Sequence, residues 1–460
     1  MWEDSLQDTI AAISTALGEG GIGIVRLSGS ESLAIANKIF LGRNKEKPSH
    51  FKSFSMHYGK IVDNHKIIDE VILTVMRGPK SYTRQDVVEI NCHGGRLSLR
   101  KILELTLKYG CRLASPGEFT KRAFLNGRID LAQAEAVIDI IRAKTESALK
   151  ISLEQLSGNL SGEINKIRQG LLDILVILEA NIDFPEEGIQ SQDLTEISLS
   201  LTAIDAQLNA LLSSASGGRI LREGLHVVIC GKPNVGKSSL LNALLKQERS
   251  IVTSVAGTTR DTIEEVIDIK GIPVRIVDTA GILKPRNLIE KEAVRLARSQ
   301  ISVADLVIVL FDSSSKLDHQ DLKLIKEVKN KKVIAVINKI DLKARIEKKE
   351  ITGVFSKVVE LAARSGKNLN LLEDALYDFV YQGKLPSPEF TLVSNLRHIH
   401  ALWGAQKLVS EARVSLTNKL SIEFITQNLR DACVYLDKIL GKNFSLDLLD
   451  RIFMDFCIGK

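Results

Sequence analysis

The segment GKPNVGKSS places Gly231, Gly236, Lys237 and Ser238 at the spacing G-x-x-x-x-G-K-[ST]. It follows the apolar run LHVVIC and precedes the helical run SLLNALL. The glycines let backbone N–H groups turn inward around phosphates, the lysine adds a positive charge beside the β and γ oxygens, and the serine hydroxyl is a Mg²⁺ ligand. A glycine-rich strand-to-helix turn without a ligand is the competing interpretation of this motif alone.

Three later segments favour a nucleotide, and one of them favours guanine. DTAG follows the strand-like PVRIV and places Asp278 near Mg²⁺ and the Gly281 amide near the γ-phosphate. NKID follows KKVIAVI, and the Asp341 carboxylate can accept hydrogen bonds from guanine N1–H and the exocyclic amine, which adenine cannot match. AGTTRD lies between the first two motifs and can bring the Thr259 hydroxyl to Mg²⁺. The order of the four segments predicts a guanine nucleotide-binding domain.

The residue that follows DTAG is Ile282, where Ras-type enzymes carry a glutamine that orients water. Water must then be positioned from elsewhere, and the segment NLIEKEAVRLAR offers Glu290 and Glu292. From the residues alone, a solvated helix face is the favoured interpretation of both.

Composition sets broad limits on the class of protein. The chain has 460 residues, 44% hydrophobic and 26% charged, which predicts a globular protein with more than one domain. Its net charge of +6 permits a nucleic-acid partner without indicating one. The acidic start and the lack of a long apolar run predict a cytoplasmic protein. Five scattered cysteines without a CxxC pair make disulfides and structural zinc unexpected; they are Cys92, Cys111, Cys230, Cys433 and Cys457.

The pattern of hydrophobic residues predicts a multidomain α/β chain. Residues 1–118 read as an α+β domain, and residues 219–382 alternate strands and helices as in a parallel sheet. Residues 119–218 and 383–460 read as two parts of one helical domain into which the α/β domain is inserted.

Two observations place the helices and the connection to the inserted domain. The small-residue stretch SSASGG, at 213–218, is predicted to be a linker. Apolar residues recur at helical spacing in three places. They are Leu160, Ile164, Ile167, Leu171, Ile174 and Leu178; Leu194, Ile197, Leu201, Ile204, Leu208 and Leu211; and Leu396, Ile399, Trp403, Leu429 and Leu436.

Longer segments resemble the MnmE family, also called TrmE, of bacterial and organellar GTPases. They are GGIGIVRLSG, GPKSYTRQDVVEINCHGG, SPGEFTKRAFLNGRIDLAQAEAVIDII, ANIDFPEE and CIGK. The resemblance implies an N-terminal domain that binds 5-formyl- or 5,10-methylene-tetrahydrofolate and forms a homodimer. It further implies an FAD-dependent partner, MnmG, in a heterotetramer, and addition of an aminomethyl or carboxymethylaminomethyl group at C5 of the tRNA wobble uridine, U34.

Site residues follow from the resemblance position by position. The folate contacts would be Arg26, Glu89, Arg128 and Lys460. Potassium would be bound by Asn234 and by Thr253, Val255 and Thr258, magnesium by Ser238 and Thr259, and Glu290 would be the catalytic acid. The positions implied to contact GTP or GDP are Asn234, Val235, Gly236, Lys237, Ser238, Ser239, Thr253, Ser254, Val255, Ala256, Gly257, Thr258, Thr259, Asp278, Thr279, Ala280, Gly281, Asn338, Lys339, Asp341, Ala362, Ala363 and Arg364.

One departure from the family pattern concerns the guanine-contacting loop. It usually reads Ser-Ala-Lys or Ser-Ala-Arg, whereas this chain has Ala362, Ala363 and Arg364. The Ala363 amide can still reach guanine O6, but a serine that supports the loop is missing. We expect weaker nucleotide affinity.

The segment CIGK contains Cys457, which could be a lipid anchor, a metal ligand, a nucleophile or a small apolar side chain. Gly459 and Lys460 do not fit a prenylation box, and the cysteine spacing does not fit zinc. By resemblance, Lys460 binds folate and Cys457 is essential for tRNA modification. The alternative function is a GTP-dependent ribosome-assembly switch, which would have no use for a folate pocket.

Overall fold

The computed structural model describes residues 8–184, 191–247, 265–278, 299–381 and 392–460. The chain divides into two compact units. The first contains residues 1–138, 155–166 and 433–460, and the second contains residues 139–154 and 167–432. Among the described residues, no helix combines the length and the apolar character needed to cross a membrane.

The first unit contains a seven-stranded sheet with the order β3-β4-β5-β6-β2-β1-β7. Neighbouring strands are antiparallel except β1 and β7. The strands are β1 (Ile10–Ile13), β2 (Gly23–Ser28), β3 (Phe40–Gly42), β4 (Ser55–Asp63), β5 (Lys66–Met76), β6 (Val87–Cys92) and β7 (Arg112–Leu113). Side chains alternate across the sheet, so Val25 and Leu27 enter the core whereas Arg26, between them, lies on the opposite face.

Helices cover the apolar face of this sheet. Helices α1 (Ser32–Ile39) and α2 (Arg96–Lys108) contribute Ile35, Ile39, Leu99 and Ile102 to the same buried cluster as the strands. A second cluster joins Phe124, Leu131, Leu449, Phe453 and Phe456. These residues belong to or follow α3 (Glu118–Leu125), α4 (Leu131–Arg142) and α15 (Leu446–Met454). This cluster fixes the position of residues 457–460, which follow it directly.

The second unit contains a six-stranded sheet with the order β13-β12-β11-β8-β10-β9. All neighbours are parallel except β9 and β10. The strands are β8 (Leu225–Gly231), β9 (Glu265–Ile269), β10 (Ile272–Asp278), β11 (Leu306–Asp312), β12 (Val333–Asn338) and β13 (Val358–Glu360). The loops after β8 and β12 lie at the carboxyl edge of the parallel strands, where open α/β sheets bind ligands.

The remaining described helices are α5 (Glu146–Leu156), α6 (Asn159–Asp183), α7 (Ser191–Ser213), α8 (Ala215–Glu223), α9 (Lys237–Gln247), α10 (His319–Val328), α11 (Lys348–Thr352), α12 (Leu369–Tyr381), α13 (Leu396–Thr417) and α14 (Ile422–Leu440). The predicted apolar face of α6, from Leu160 to Leu178, is buried throughout. In α7 the predicted residues from Ile197 to Leu211 are buried, but Leu194 is exposed.

The helix that begins at Leu396 is present, but its buried face differs from the predicted one. Leu396 and Trp403 are exposed, whereas Ala401, Ala405 and Ala412 are buried. Helix α13 is joined to α7 by a hydrogen bond at 3.0 Å that Asp205 of α7 accepts from Gln406 of α13. Leu402 and Val409 are also buried, so the buried face combines large apolar side chains with small ones and is rotated away from Leu396 and Trp403.

The predicted linker at 213–218 is wrong, because Ala215–Glu223 forms α8. A Cβ atom added to Gly218 would lie 2.4 Å from the Val393 carbonyl oxygen. The small residues therefore permit a close backbone approach and do not mark a flexible connection.

Candidate functional site

The phosphate-binding loop connects β8 to α9. Asn234 has φ +65° and Gly236 has φ +104°, both in the left-handed region. A Cβ atom on Gly236 would lie 2.2 Å from Asn338 Nδ2, so the loop needs glycine here for space as well as for conformation. Lys237 is buried, and its Nζ donates to the carbonyl oxygens of Gly231 at 2.9 Å and Lys232 at 2.7 Å. The lysine ammonium thus lies inside the loop that would surround the phosphates.

Asn338 connects the phosphate-binding loop to the predicted guanine-contacting loop. Its Nδ2 donates to the Val235 carbonyl at 2.8 Å, and its Oδ1 accepts from the Ala363 amide at 2.9 Å. The side chain is buried. One amide group therefore sets the spacing between two loops that are far apart in the sequence.

Lys339 is held by a carboxylate that the sequence analysis did not single out. Its Nζ donates to Asp312 Oδ2 at 2.6 Å, and Asp312 ends β11, the neighbour of β12 in the sheet. Burial alone would raise the pKa of Asp312, but hydrogen bonds from Lys339 and Ser314 outweigh it and hold the pKa below its usual value. The sequence contained a signal for Asp312: the apolar run LVIVLF ends in an aspartate. A polar residue at the carboxyl end of a parallel strand lies at the edge of the sheet where ligands bind.

The predicted guanine-contacting loop is closed by its own backbone hydrogen bonds. The Ala362 amide donates to the Lys367 carbonyl at 3.0 Å, and the Ala362 carbonyl accepts from the Gly366 amide at 3.0 Å. Ala362 and Ala363 are buried, whereas Arg364 and Asp341 are exposed. A cavity of about 610 Å³ lies beside this loop; its lining includes Ser239, Asn242, Lys246, Ala363, Arg364 and Leu369.

Several predicted positions lie outside the described residues. They are Thr253, Ser254, Val255, Ala256, Gly257, Thr258, Thr259, Thr279, Ala280, Gly281 and Glu290. Asp278 is the last residue of β10 and is in register with Ile229 of β8. Ser238 is exposed in the first turn of α9, directly after Lys237.

Arg26 and Glu89 form a cross-strand ion pair on the polar face of the first sheet. They are direct neighbours in the register of β2 and β6. Arg26 Nε and Nη2 each lie 2.7 Å from Glu89 Oε1, and both side chains are mostly buried. Two of the four predicted folate residues are therefore in contact.

The CIGK segment docks beside this pair through its backbone. The Gly459 carbonyl accepts from Arg26 Nη1 at 3.2 Å and from the Ser14 hydroxyl at 3.1 Å. The Cys457 carbonyl accepts from the Gly117 amide at 3.3 Å, and the Lys460 carbonyl accepts from the Phe119 amide at 3.2 Å. Three carbonyls thus fix the segment, and those of Cys457 and Lys460 accept from amides at the N-terminus of α3.

Aromatic rings complete the surroundings of Arg26. The Arg26 guanidinium carbon lies 5.8 Å from the centroid of the Tyr82 ring and 5.6 Å from that of Phe119. The Arg128 guanidinium carbon lies 4.8 Å from the same Tyr82 ring. The sequence analysis assigned no role to Tyr82, Phe119 or Ser14. Tyr82 and Phe119 lie within the family segments, but their position beside Arg26 depends on the fold.

The five cysteines differ in accessibility. Cys457 is exposed, whereas the other four are buried. Burial raises the pKa of the Cys92 thiol to about 11 and the pKa values of the Cys111 and Cys230 thiols to about 12. Cys457 is therefore the cysteine of this chain that is accessible to a reaction partner.

The phosphate-binding loop, the NKID loop and the parallel sheet that carries them define a P-loop GTPase. Comparison with known proteins assigns the family. Residues 131–457 match the model of the MnmE helical domain, and residues 9–128 match that of the GTP-binding protein TrmE N-terminus.

Full-length relatives agree with the family models. The "tRNA modification GTPase MnmE" of Desulforamulus reducens is 45% identical over 99% of this chain and 100% of that protein. The protein of the same name from Carboxydothermus hydrogenoformans is 47% identical with the same coverage. The chain belongs to the MnmE family of tRNA modification GTPases, and it is a GTP hydrolase whose nucleotide is accompanied by magnesium.

Proposed function

We propose that this chain is a potassium-dependent GTP hydrolase that takes part in building C5-modified wobble uridine. With an FAD-dependent partner of the MnmG type, it uses a tetrahydrofolate one-carbon unit to add an aminomethyl or carboxymethylaminomethyl group at U34 of certain tRNAs. The observation that carries the proposal is the docking of CIGK on Arg26 through the Gly459 carbonyl. This contact brings an accessible cysteine next to the residues that the family resemblance assigns to folate.

The residues around Arg26 suit a folate. Its glutamate carboxylates need cations, which Arg26, Arg128 and Lys460 provide, and its flat pterin ring can stack on an aromatic side chain such as Tyr82. Glu89 holds the Arg26 guanidinium in a fixed orientation through two contacts. When bound, folate supplies the one-carbon unit, and the protein residues bind and orient it.

The remaining features of the proposal rest on the family resemblance. We propose a homodimer through the N-terminal domain, a heterotetramer with the MnmG-type partner and a cytoplasmic location. We propose four functional segments. Residues 1–118 form the folate-binding and dimerisation domain, residues 219–382 form the GTPase domain, and residues 119–218 and 383–460 form the two parts of the helical domain. Glu290 would organise the attacking water, and Asn234, with Thr253, Val255 and Thr258, would bind potassium.

Three variants test the modification step: Cys457→Ser, Cys457→Ala and deletion of Lys460. GTP turnover should survive in all three, because the nucleotide loops belong to a different compact unit. Wobble uridine, measured by mass spectrometry of tRNA from complemented deletion strains, should stay unmodified with both cysteine variants. Folate affinity should fall when Lys460 is deleted. Normal modification with Cys457→Ala would reduce this cysteine to a packing role.

Potassium dependence is tested separately. A potassium ion at the phosphates can supply the positive charge that an arginine finger provides in other GTPases. GTP turnover should be much faster in potassium than in sodium, and Asn234→Ala should remove most of the difference. Equal turnover of the parent protein in the two salts would exclude this mechanism.

A further inference from the structure

A groove lies at the outer edge of the first sheet, along the edge strand β3 and the β4–β5 hairpin. Its cavity volume is about 960 Å³. The lining residues that matter for its chemistry are Lys38, Arg43, Lys45, Lys60, Tyr58 and Tyr109. Three strands, β4, β5 and β6, lie between β3 and β2 in the sheet order, so β3 lies roughly 20 Å from the strand that carries Arg26.

Positive charge is concentrated in this groove. The whole chain is almost balanced, with 62 Lys and Arg against 56 Asp and Glu. Four lysine and arginine residues line the groove, whereas Glu70 is the one carboxylate among its lining residues. Glu70 already accepts from the Tyr58 hydroxyl at 2.8 Å and pairs with Lys60 at 3.2 Å. The excess of positive over negative residues is therefore larger in the groove than in the chain as a whole, and this excess favours anionic ligands.

Three cations of the groove are available for a ligand. Lys38, Arg43 and Lys45 form no ion pair with any residue in the described ranges. Arg43 and Lys45 lie on the exposed turn after β3. Unpaired cations on a concave surface attract a ligand with several negative charges, such as a row of phosphates.

Aromatic side chains lie among these cations. Tyr58 is 57% exposed on β4. The Lys38 Nζ lies 5.7 Å from the centroid of the Tyr109 ring, at the end of α2. Cations that follow a phosphate chain, together with exposed aromatic faces on which a base can stack, are typical of surfaces that bind single-stranded nucleic acid.

We propose that this groove binds tRNA, with Lys38, Arg43 and Lys45 contacting the sugar–phosphate backbone and Tyr58 contacting an unpaired base. The inference rests on the proposed function, because it assigns a surface to the RNA substrate. None of the four folate residues lines the groove: they lie on β2 and β6, between α3 and α4, and in the CIGK segment. It would hold the RNA while the wobble base reaches the reacting groups.

The test uses the full chain and a fluorescent, unmodified tRNA transcript, with affinity measured by anisotropy at several KCl concentrations. Arg43→Gln combined with Lys45→Gln should weaken binding at least about tenfold. The slope of log K against log salt should become shallower by roughly 0.7 to 0.9 for each lost phosphate contact. The matched control, Lys52→Gln with Lys101→Gln, removes the same charge from exposed positions outside the groove and should keep the parent slope.

Tyr58 is tested by a pair of variants. Tyr58→Leu removes the ring and should weaken tRNA binding about fivefold or more, whereas Tyr58→Phe keeps the ring and should bind as the parent does. Folate affinity and the far-UV circular dichroism spectrum should be unchanged in all of these variants, which shows that the first unit, which carries the groove, remains folded.

The outcomes separate this inference from the proposed function. If the parent chain binds no tRNA, both fail. If the parent binds tRNA and the Arg43 and Lys45 variant binds with the same affinity and salt slope, the groove is not the RNA surface although the proposed function stands. A change of sedimentation coefficient with unchanged tRNA affinity would identify the groove as an interface between copies of this chain and would also overturn the inference.

Discussion

The nucleotide site and the Arg26 site are held together in different ways. In the nucleotide site, the Asn338 side chain bonds to the backbone of two loops, at Val235 and Ala363. In the Arg26 site, the backbone of Gly459 bonds to two side chains, those of Arg26 and Ser14. The first site depends on the identity of the connecting residue, whereas the second depends on the path of the connecting segment.

This difference determines which substitutions each site tolerates. A side chain that bridges two loops can be removed by one mutation, which releases both loops at once. A docked segment is insensitive to many side-chain changes, but it is sensitive to any residue that alters its backbone path. Three measurements test this distinction.

The largest effect is expected for Asn338→Ala. The substitution leaves the Val235 carbonyl and the Ala363 amide without their buried partner. The unfolding free energy should therefore fall by about 2 kcal/mol. Because the phosphate and guanine loops lose their spacing, GTP affinity should fall at least about tenfold. Urea unfolding and titration with a fluorescent GTP analogue measure the two effects, and folate affinity serves as the internal control. Unchanged GTP affinity would show that the loops are held by other contacts.

A smaller effect is expected for Gly459→Ala, compared with Gly158→Ala. The two glycines have nearly the same φ, +94° and +93°, so the conformational strain of an alanine is similar. The added Cβ would lie 2.4 Å from the Ile13 carbonyl oxygen at position 459, but 3.3 Å from the end of the Gln133 side chain at position 158. Since the backbone cannot yield as a side chain can, only Gly459→Ala should displace the CIGK segment.

Folate affinity and the rate of Cys457 alkylation measure this displacement. Folate affinity should fall about tenfold with Gly459→Ala, because the partly exposed hydrogen bond from Arg26 to the Gly459 carbonyl is lost. It should stay near the parent value with Gly158→Ala. GTP turnover should be unchanged in both. Equal folate affinity of the two variants would mean that the path of the segment does not matter.

The smallest effect is expected when the Asp312–Lys339 ion pair is removed, and it is a change in how the unfolding free energy depends on pH. The folded-state pKa of Asp312 lies below 3.8, so its contribution to stability is present above that pH and is lost as the pH falls toward the folded-state pKa. Asp312→Asn should lower the unfolding free energy near neutral pH by about 1 kcal/mol or less. Its deficit relative to the parent should shrink below pH 3.8. A deficit that stays constant with pH would indicate lost packing and not lost charge.

The sequence predicted the nucleotide site more completely than the Arg26 site. Gly236, Lys237 and Asn338 belong to short motifs that follow apolar strands, so residue type and element could be predicted together. Asp312 could not be found this way, because its contact with Lys339 depends on β11 and β12 being neighbours in the sheet. The contact of Arg26 with Gly459 depends on the path of the whole chain.

The incorrect predictions concern the linker at 213–218 and the buried face of α13. Small residues serve both in flexible linkers and where backbones approach closely, so SSASGG could not be distinguished from the start of a helix by composition. In α13 the spacing was read from the wrong apolar residues: Leu402 and Val409 are buried beside the alanines, whereas Trp403 is exposed. Composition gives the size of a side chain, but only the fold shows what lies next to it.

The docking of Gly459 on Arg26 also has a consequence for protein synthesis. The two residues are 433 positions apart, and at bacterial translation rates the ribosome needs roughly 20 to 90 s to make that length of chain. During this time the amides of Gly117 and Phe119 have not yet met the carbonyls of Cys457 and Lys460. On the proposed function, a nascent or prematurely terminated chain therefore cannot assemble the folate site.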